Sequence, residues 1–381
     1  MTKVLVGLSG GVDSAVAAYL LKEQGYDVEC CFMRNWDSAL NNDTLGNPTL
    51  NDDICPQEKD YNDAKKVAEK LGLKLHRVDY IKEYWDDVFE NFISEYKEGR
   101  TPNPDILCNK YIKFDAFLNY AKANGYDKMA TGHYAKNVIY KNEELIGKAH
   151  DLNKDQSYFL AQVSKEAIEF TLFPLGEIDK PQVRRIAHEL ELDIADKKDS
   201  TGVCFIGERN FREFLKNYIP MKEGNIIDIE TKEVIGRHDG VYYYTIGQRK
   251  GFKVGGSRGP YFCVGKNVYK NELYLATKND HEWLYSDSCH VKDFNFMFRP
   301  ETGVFKATAK FRYRQCDNNV TVRIIDDTNI MIEFDEHIKA VTKGQQAVVY
   351  MGDVMIGGGV IDEVYLNGKE KDEILKEYLE Y

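Results

Sequence analysis

The first half of the chain alternates short apolar runs with amphipathic stretches. "KVLVGL" at 3–8 is apolar, and "AVAAYLLKEQG" at 15–25 carries helical periodicity. "DVECCFMRNW" at 27–36 reads as a second strand, "PQEKDYNDAKKVAEKLG" at 56–72 as an amphipathic helix closed by Gly72, and "KLHRVDY" at 74–80 as a strand. A long helix is predicted from Ile81 to Gly99 and another from Lys110 to Asn124, followed by a strand and turn in "DKMATGHYA" at 127–135. Such alternation predicts an α/β fold with a doubly wound parallel sheet. After "KPQVRRIAHELEL" at 180–192 the pattern changes. From about Asn225, short strands with Gly, Asn and Asp turns predict a small β-rich central domain and then a compact C-terminal β-barrel, with a charged helix in "KEKDEILKEYLEY". The predicted boundaries are 1–208, 209–282 and 283–381. The segment 37–53 is polar and Asn-rich and reads as a mobile loop.

Length supports this division, since 381 residues suggest two or three domains. No apolar run approaches the ~18 residues of a membrane span. The first strand starts at Lys3, which leaves no room for a targeting peptide, so a cytoplasmic protein is expected. The net charge of −11 argues against a generic polyanion binder. Locally the sign reverses. Between Arg237 and Lys270 seven Lys/Arg face one acid, Asp239, and between Arg299 and Arg314 five face one, Glu301. These stretches are rich in Gly, Tyr and Phe, which favours RNA contact.

The densest chemistry lies in "VGLSGGVDSAV" at 6–16, between the first strand and its helix. A helix N-terminus offers unpaired N–H groups to an anion. Gly10 and Gly11 allow close backbone approach, and Ser9 and Ser14 add hydroxyls. Both the dinucleotide spacing G-x-G-x-x-G and the Walker lysine are absent. The stretch resembles the PP-loop of N-type ATP pyrophosphatases, which implies cleavage of ATP to AMP and pyrophosphate.

Of the eight cysteines, Cys30 and Cys31 sit in an apolar strand and read as small buried hydrophobes. No C-x-x-C occurs, so no metal site is assigned to them. Cys108 and Cys204 differ. Cys108 follows "RTPNPDIL", where Pro102 and Pro104 stiffen an extended loop, and the helix is predicted to begin near Asn109. A thiol just before a helix start has a stabilised thiolate, and Asp105 stands three residues earlier. Cys204 lies in a second loop, flanked by Gly202 and Gly207.

"GLSGGVDS", "RTPNPDILCN", "ATGHYA", "KDQSYFL", "DSTGVCFIGER", "GQRKG" and "FRYRQ" occur in that order across most of the chain. Together they resemble the bacterial tRNA-specific 2-thiouridylase family. The resemblance implies adenylation of the wobble uridine of tRNA by ATP with Mg²⁺, then replacement of its C2 oxygen by sulfur. Cys204 would receive sulfur as a persulfide from a donor protein, a cysteine desulfurase or a relay protein. Cys108 would be the partner thiol, closing a Cys108–Cys204 disulfide, and Asp105 the general acid/base. Gly7, Leu8, Ser9, Gly10, Gly11, Val12, Asp13 and Ser14 would contact ATP, with Met33 and Gly132 near the adenine or ribose and Asp13 helping to position Mg²⁺. Asn103, Pro104 and Asp105 would face the base. His133, Lys154, Asp155, Gln156, Arg312, Tyr313 and Gln345 would contact tRNA around the anticodon. Two rival readings stand beside this one. A PP-loop ligase acting on a small molecule needs neither paired cysteines nor basic β domains. A non-catalytic RNA binder predicts damage to the loop or to Cys108, and neither is damaged.

Overall fold

In the computed structural model, strand β1 (Lys3–Gly7) buries Val4, Leu5 and Val6 completely, as a central parallel strand covered on both faces requires. The structure describes residues 1–199, 202, 206, 209–252, 254, 260–278 and 281–380. It divides into two compact units.

The first unit comprises residues 1–90, 104–214 and 351–357. Helix α1 (Val12–Glu23) follows β1, then come β2 (Asp27–Arg34), α2 (Pro56–Leu71) and β3 (Lys74–Asp79). Pro56 starts α2 at a position where its missing N–H costs nothing, and Gly72 ends it in the left-handed conformation (φ 63°). Strand β4 (Lys128–Ala130) pairs with the other edge of β1. A hairpin follows, β5 (Ala135–Tyr140) and β6 (Glu143–Lys148), turned by Lys141 and Asn142 with φ of 48° and 67°. The two-residue strand β7 (Thr171–Leu172) completes a five-stranded sheet in the order β3-β2-β1-β4-β7, every pair parallel. The core on one side packs Val4 and Val6 against Val12, Ala15 and Val16 of α1 and Val183 and Ala187 of the helix Lys180–Glu189.

The sequence winds outward from β1 through β2 to β3 and then returns to β1's other edge with β4. The order therefore reverses between β1 and β4, and ligands of open α/β sheets bind outside the strand C-termini at such a switch point. Residues 8–14 leave β1 there, and residues 131–134 leave β4.

The segment 37–53 carries no helix or strand, as a loop should, and it folds back through turns around Asp43, whose side chain is fully buried against Trp36 and Arg209. One expectation fails in this unit. The helix bearing Cys108 starts earlier than expected, at Pro104 rather than near Asn109. Residues Pro104–Leu107 form its first turn, and a wider π-helical stretch, Cys108–Ala116, continues into Phe117–Ala123. A proline is favoured at the first helical position, so Pro104 starts this helix where the sequence reading let it stiffen a loop.

The second unit comprises residues 91–103, 215–350 and 358–381. Strands β8 (Gly224–Asp228), β9 (Val234–His238), β10 (Phe262–Asn267) and β11 (Glu272–Ala276) form a small sheet in the order β10-β11-β8-β9. The barrel strands follow: β12 (Tyr285–Phe296), β13 (Val304–Lys310), β14 (Asn318–Ile324), β15 (Ile330–Lys339), β16 (Gln346–Met351) and β17 (Val354–Leu366). Their order, β12-β15-β14-β13-β16-β17, closes through a β12–β17 pairing, so no edge strand is left bare. The terminal helix Lys371–Glu380 buries Leu375 among Phe262, Val264 and Tyr274.

Candidate active site

Gly11 caps α1 without a side-chain hydrogen bond, so the helix presents its first N–H groups uncapped at the switch point. Gly10 is at φ 77°, and a Cβ there would stand 2.2 Å from the carbonyl oxygen of Asp60, so only glycine fits. Ser14 Oγ accepts from the Ser9 amide (3.1 Å), meets Ser9 Oγ at 3.1 Å and donates to the Gly11 carbonyl (3.1 Å), which braces the loop internally. Leu8 and Val12 turn into the core. A Cβ on Gly7 would lie 3.2 Å from Met33 Cε and 3.6 Å from Phe117, which places Met33 at the floor beneath the loop. A Cβ on Gly132 would lie 2.8 Å from the Ser14 amide nitrogen, so the turn after β4 closes directly on the first turn of α1.

Asp13 is in that first turn, and its carboxylate is already engaged. Lys180 Nζ donates to both oxygens (2.7 and 2.8 Å), and the Tyr134 hydroxyl donates at 2.8 Å. Lys180 also pairs with Asp199 (2.7 Å), to which Lys154 (2.7 Å) and Arg184 (2.9 Å) add. Burial raises the Asp199 carboxyl, but Lys154 and Lys180 outweigh it and hold it at about 2. On the loop's other side Lys197 Nζ donates to the Gly10 carbonyl (3.0 Å), Asp60 (2.8 Å) and Asp63 (2.7 Å). The loop carries no lysine of its own, yet the fold brings it two. Sequence reasoning missed both, because nothing in the local pattern ties Lys180 or Lys197 to loop residues 167 and 187 positions away. No group of three or more metal-ligating side chains occurs among the described residues, and the Asp13 carboxylate is held by Lys180.

The Cys108 thiol is fully buried. It stands on the fifth residue of its helix, so the expected position just before a helix N-terminus is corrected. Asp105 is one turn earlier, and a spacing of three residues places both on one helix face. Cys204 lies outside the described residues. Cys30, Cys31 and Cys263 are buried, and burial pushes their thiols up to about 12. Cys289 is buried too, whereas Cys55 and Cys316 are exposed.

His133 is buried. Its Nδ1 lies 2.8 Å from Thr131 Oγ1, and burial, assisted by Lys113, holds the ring well below its ordinary pKa and hence neutral. Asp155 is a turn carboxylate, accepting from the amides of Ala149 (3.0 Å) and Ser157 (3.3 Å) and from Ser157 Oγ (2.9 Å). Gln156 Oε1 accepts from the Tyr134 amide at 3.0 Å. Lys154 and Gln156 thus adjoin the phosphate loop through Asp199 and Tyr134, with Asp155 between them in sequence.

In the second unit, Gln345 Nε2 donates to the Thr101 carbonyl (2.7 Å), and the Thr101 amide donates to the Lys343 carbonyl (2.9 Å). Arg100 reaches Asp362 (3.1 Å) and the Ile361 carbonyl (3.0 Å). Residues 100 and 101, leading to Asn103, are pinned to the barrel. Arg312 faces inward, its Nη2 donating to the carbonyls of Ile246 and Ala340 (both 2.9 Å) and to Thr342 Oγ1 (3.1 Å), with half-buried Tyr313 beside it. The two basic stretches carry less free charge than their sequence suggests. Arg299, Lys306 and Lys310 meet Asp327 (2.6 Å), Asp335 (2.9 Å) and Asp317 (3.7 Å). Lys266 turns its ammonium onto the Tyr244 carbonyl (2.8 Å), and burial pushes it down to about 8. Lys253 and Arg258 lie outside the described residues, while Arg249, Lys250 and Arg314 are exposed.

A glycine–serine loop at the switch point of a parallel sheet, followed by a small sheet and a closed barrel, defines an α/β protein of the PP-loop kind with β accessory domains. Three family models match in chain order: a tRNA methyl transferase HUP domain over residues 2–208, a tRNA methyl transferase PRC-barrel domain over 212–277 and an aminomethyltransferase beta-barrel domain over 286–361. The tRNA-specific 2-thiouridylase MnmA of Mycoplasma capricolum subsp. capricolum is 59% identical over 372 residues, covering 95% of this chain and 99% of the relative. Those of Mycoplasma mycoides subsp. mycoides SC and Mycoplasmopsis synoviae are 58% and 54% identical, covering 95% and 96% of this chain and 99% and 97% of theirs. The chain belongs to the tRNA-specific 2-thiouridylase family.

Proposed function

We infer that this chain is a tRNA 2-thiouridylase, an enzyme that replaces the C2 oxygen of the wobble uridine of tRNA by sulfur. The observation that carries the reading is the uncapped N-terminus of α1 at the sheet's switch point, with an intact S-G-G-x-D-S turn and two lysines at its edges. This is a site for a polyphosphate, and adenylation is what a poor leaving group such as a carbonyl oxygen requires.

ATP would lie with its phosphates on residues 9–14 and its adenosine over Gly7, Met33 and Gly132. Any Mg²⁺ would be carried on the phosphates, and no step is assigned to it. The uridine O2 attacks the α-phosphorus, and pyrophosphate leaves. The terminal sulfur of a Cys204 persulfide, supplied by a donor protein, then attacks C2, and AMP departs with the former O2. The Cys108 thiolate attacks Cys204 Sγ. The sulfur–sulfur bond breaks, its electron pair stays on the transferred sulfur as the thiocarbonyl forms, and the cysteines are left as a disulfide. A dithiol reductant returns two electrons for the next turnover. Asp105, one turn from Cys108, takes the thiol proton. Buried Cys108 has its thiol shielded from adventitious oxidants, and base entry must expose it.

Asn103, Pro104 and Asp105 are proposed to face the base, and His133, Lys154, Asp155, Gln156, Arg312, Tyr313 and Gln345 to lie at tRNA contacts. Because Arg312, Asp155 and Gln345 are bound within the protein, they act on tRNA chiefly by shaping the surface. Mass spectrometry of tRNA nucleosides after incubation with ATP, cysteine and a cysteine desulfurase tests the reading. 2-Thiouridine that depends on both ATP and this chain supports it. Its absence, with pyrophosphate released on a small-molecule acceptor instead, supports the ligase reading.

A further inference from the structure

The segment bearing Cys204 is joined at its C-terminal end to Arg209. That guanidinium is buried with the Asp43 carboxylate, their side chains 5% and 0% exposed. Arg209 Nε and Nη2 donate to Asp43 Oδ2 at 3.0 and 2.8 Å. Trp36 Nε1 (3.1 Å) and Ser38 Oγ (3.3 Å) donate to the same oxygen. The next residue repeats the attachment: the Asn210 amide donates to the Gly46 carbonyl at 3.0 Å. Phe214 then packs 6.3 Å from Trp36 and 6.0 Å from Phe89, centroid to centroid. At the segment's other end, Asp199 is held by Lys154, Lys180 and Arg184.

A buried ion pair is an inefficient way to stabilise a loop. Desolvating both charges offsets most of their attraction, and apolar side chains of similar volume serve stability as well. What a forked guanidinium on a carboxylate adds is a single orientation. We propose that Asp43 and Arg209 are positioning residues for sulfur transfer. They fix the C-terminal root of the Cys204 segment so that the persulfide reaches the adenylated base, while ATP chemistry at the phosphate loop proceeds without them. The 37–53 segment is the buttress through which they act. The proposal rests on the assignment of the persulfide to Cys204.

The test is the ratio of pyrophosphate released to 2-thiouridine formed, in a single turnover of enzyme preloaded with sulfur by a cysteine desulfurase. Asp43→Asn keeps the shape and removes the charge, and Arg209→Lys keeps the charge and removes the fork. Thermal unfolding is followed for each. Pyrophosphate release is expected within about threefold of wild type, while 2-thiouridine falls by about 100-fold, the order of loss that a misplacement of about 1 Å produces. A ratio equal to wild type in both variants overturns the proposal, whether both products are kept or both are lost. Failure of both variants to fold also overturns it, since the pair then serves stability. If the wild-type chain itself makes no 2-thiouridine, the functional reading fails instead.

Discussion

Replacing Gly132 by alanine adds one methyl group at the point where the turn after β4 meets α1. The new Cβ would stand 2.8 Å from the Ser14 amide nitrogen and 3.0 Å from the Asp13 carbonyl carbon and the Ser14 Cα. All three are backbone atoms, and no side chain can swing away to make room. Ordinary contact begins near 3.4 Å, so the first turn of α1 must retreat by about 0.6 Å, at a cost of about 1–3 kcal/mol. The backbone of Gly132 is not in the left-handed region, so the perturbation is steric alone. The retreat moves the amides proposed to hold the phosphates, and an error of that size lowers the adenylation rate by about 10- to 100-fold. Pyrophosphate release with tRNA and ATP measures the rate, and calorimetry measures the stability. Gly125→Ala is the control. Its φ is 75° with no atom within 4 Å, so it pays about 1 kcal/mol of backbone strain and leaves the loop alone. Both variants should melt lower, and only Gly132→Ala should lose activity. Wild-type pyrophosphate release by Gly132→Ala, with unchanged KM for ATP, would refute the placement of ATP.

Cys204→Ser should take up no sulfur from a desulfurase, whereas Cys108→Ser should take it up and yield no thiolated tRNA; normal thiolation by Cys108→Ser removes the two-cysteine mechanism. Asp13→Ala frees Lys180 from its partner in the loop and should abolish pyrophosphate release while circular dichroism stays native; undiminished release would remove Asp13 from the site. Arg312→Ala loses three inward hydrogen bonds, so it should lower stability by about 1–3 kcal/mol and weaken tRNA binding at unchanged ATP affinity; tRNA binding equal to wild type would contradict its assignment. Glu29, which accepts from His76 (2.5 Å) and Tyr126 (2.7 Å), is held at about 2 against an ordinary 4.5. Its stabilisation, about 3 kcal/mol at most, is complete above pH 4.5 and lost as pH falls toward 2. Glu29→Gln should therefore flatten the acid limb of the stability curve, and an unchanged limb would contradict the assignment.

The strand–helix alternation, the phosphate loop and the switch point were legible in the sequence, because "KVLVGL", "DVECCFMRNW" and α2 carry clear periodicities with Gly and Pro punctuation. The β5–β6 hairpin was not, since its turn is Lys141–Asn142 rather than Asn-Gly. A strand of two residues such as Thr171–Leu172 is too short to show a period. The 37–53 segment read as a loop because its composition is polar, and it is built from turns. Its tie through the buried Asp43 carboxylate to Arg209, 166 residues on, leaves no trace in local composition. Counting charges along the chain misled for the same reason: the β14–β15 turn supplies Asp327, and β15 supplies Asp335, to basic residues that looked unopposed. Lys180 and Lys197 were invisible in the sequence for want of any local motif, although they supply the cations that the loop lacks.

The central claim is that the C2 oxygen of the wobble uridine leaves as part of AMP and sulfur takes its place. A tRNA carrying ¹⁸O at that single C2 position, reacted once with the persulfide-loaded wild-type chain and ATP, tests it directly by mass spectrometry of both products. The account predicts labelled AMP and 2-thiouridine in equal amounts. Unlabelled AMP alongside 2-thiouridine would contradict it, because sulfur would then have arrived without adenylation of that oxygen.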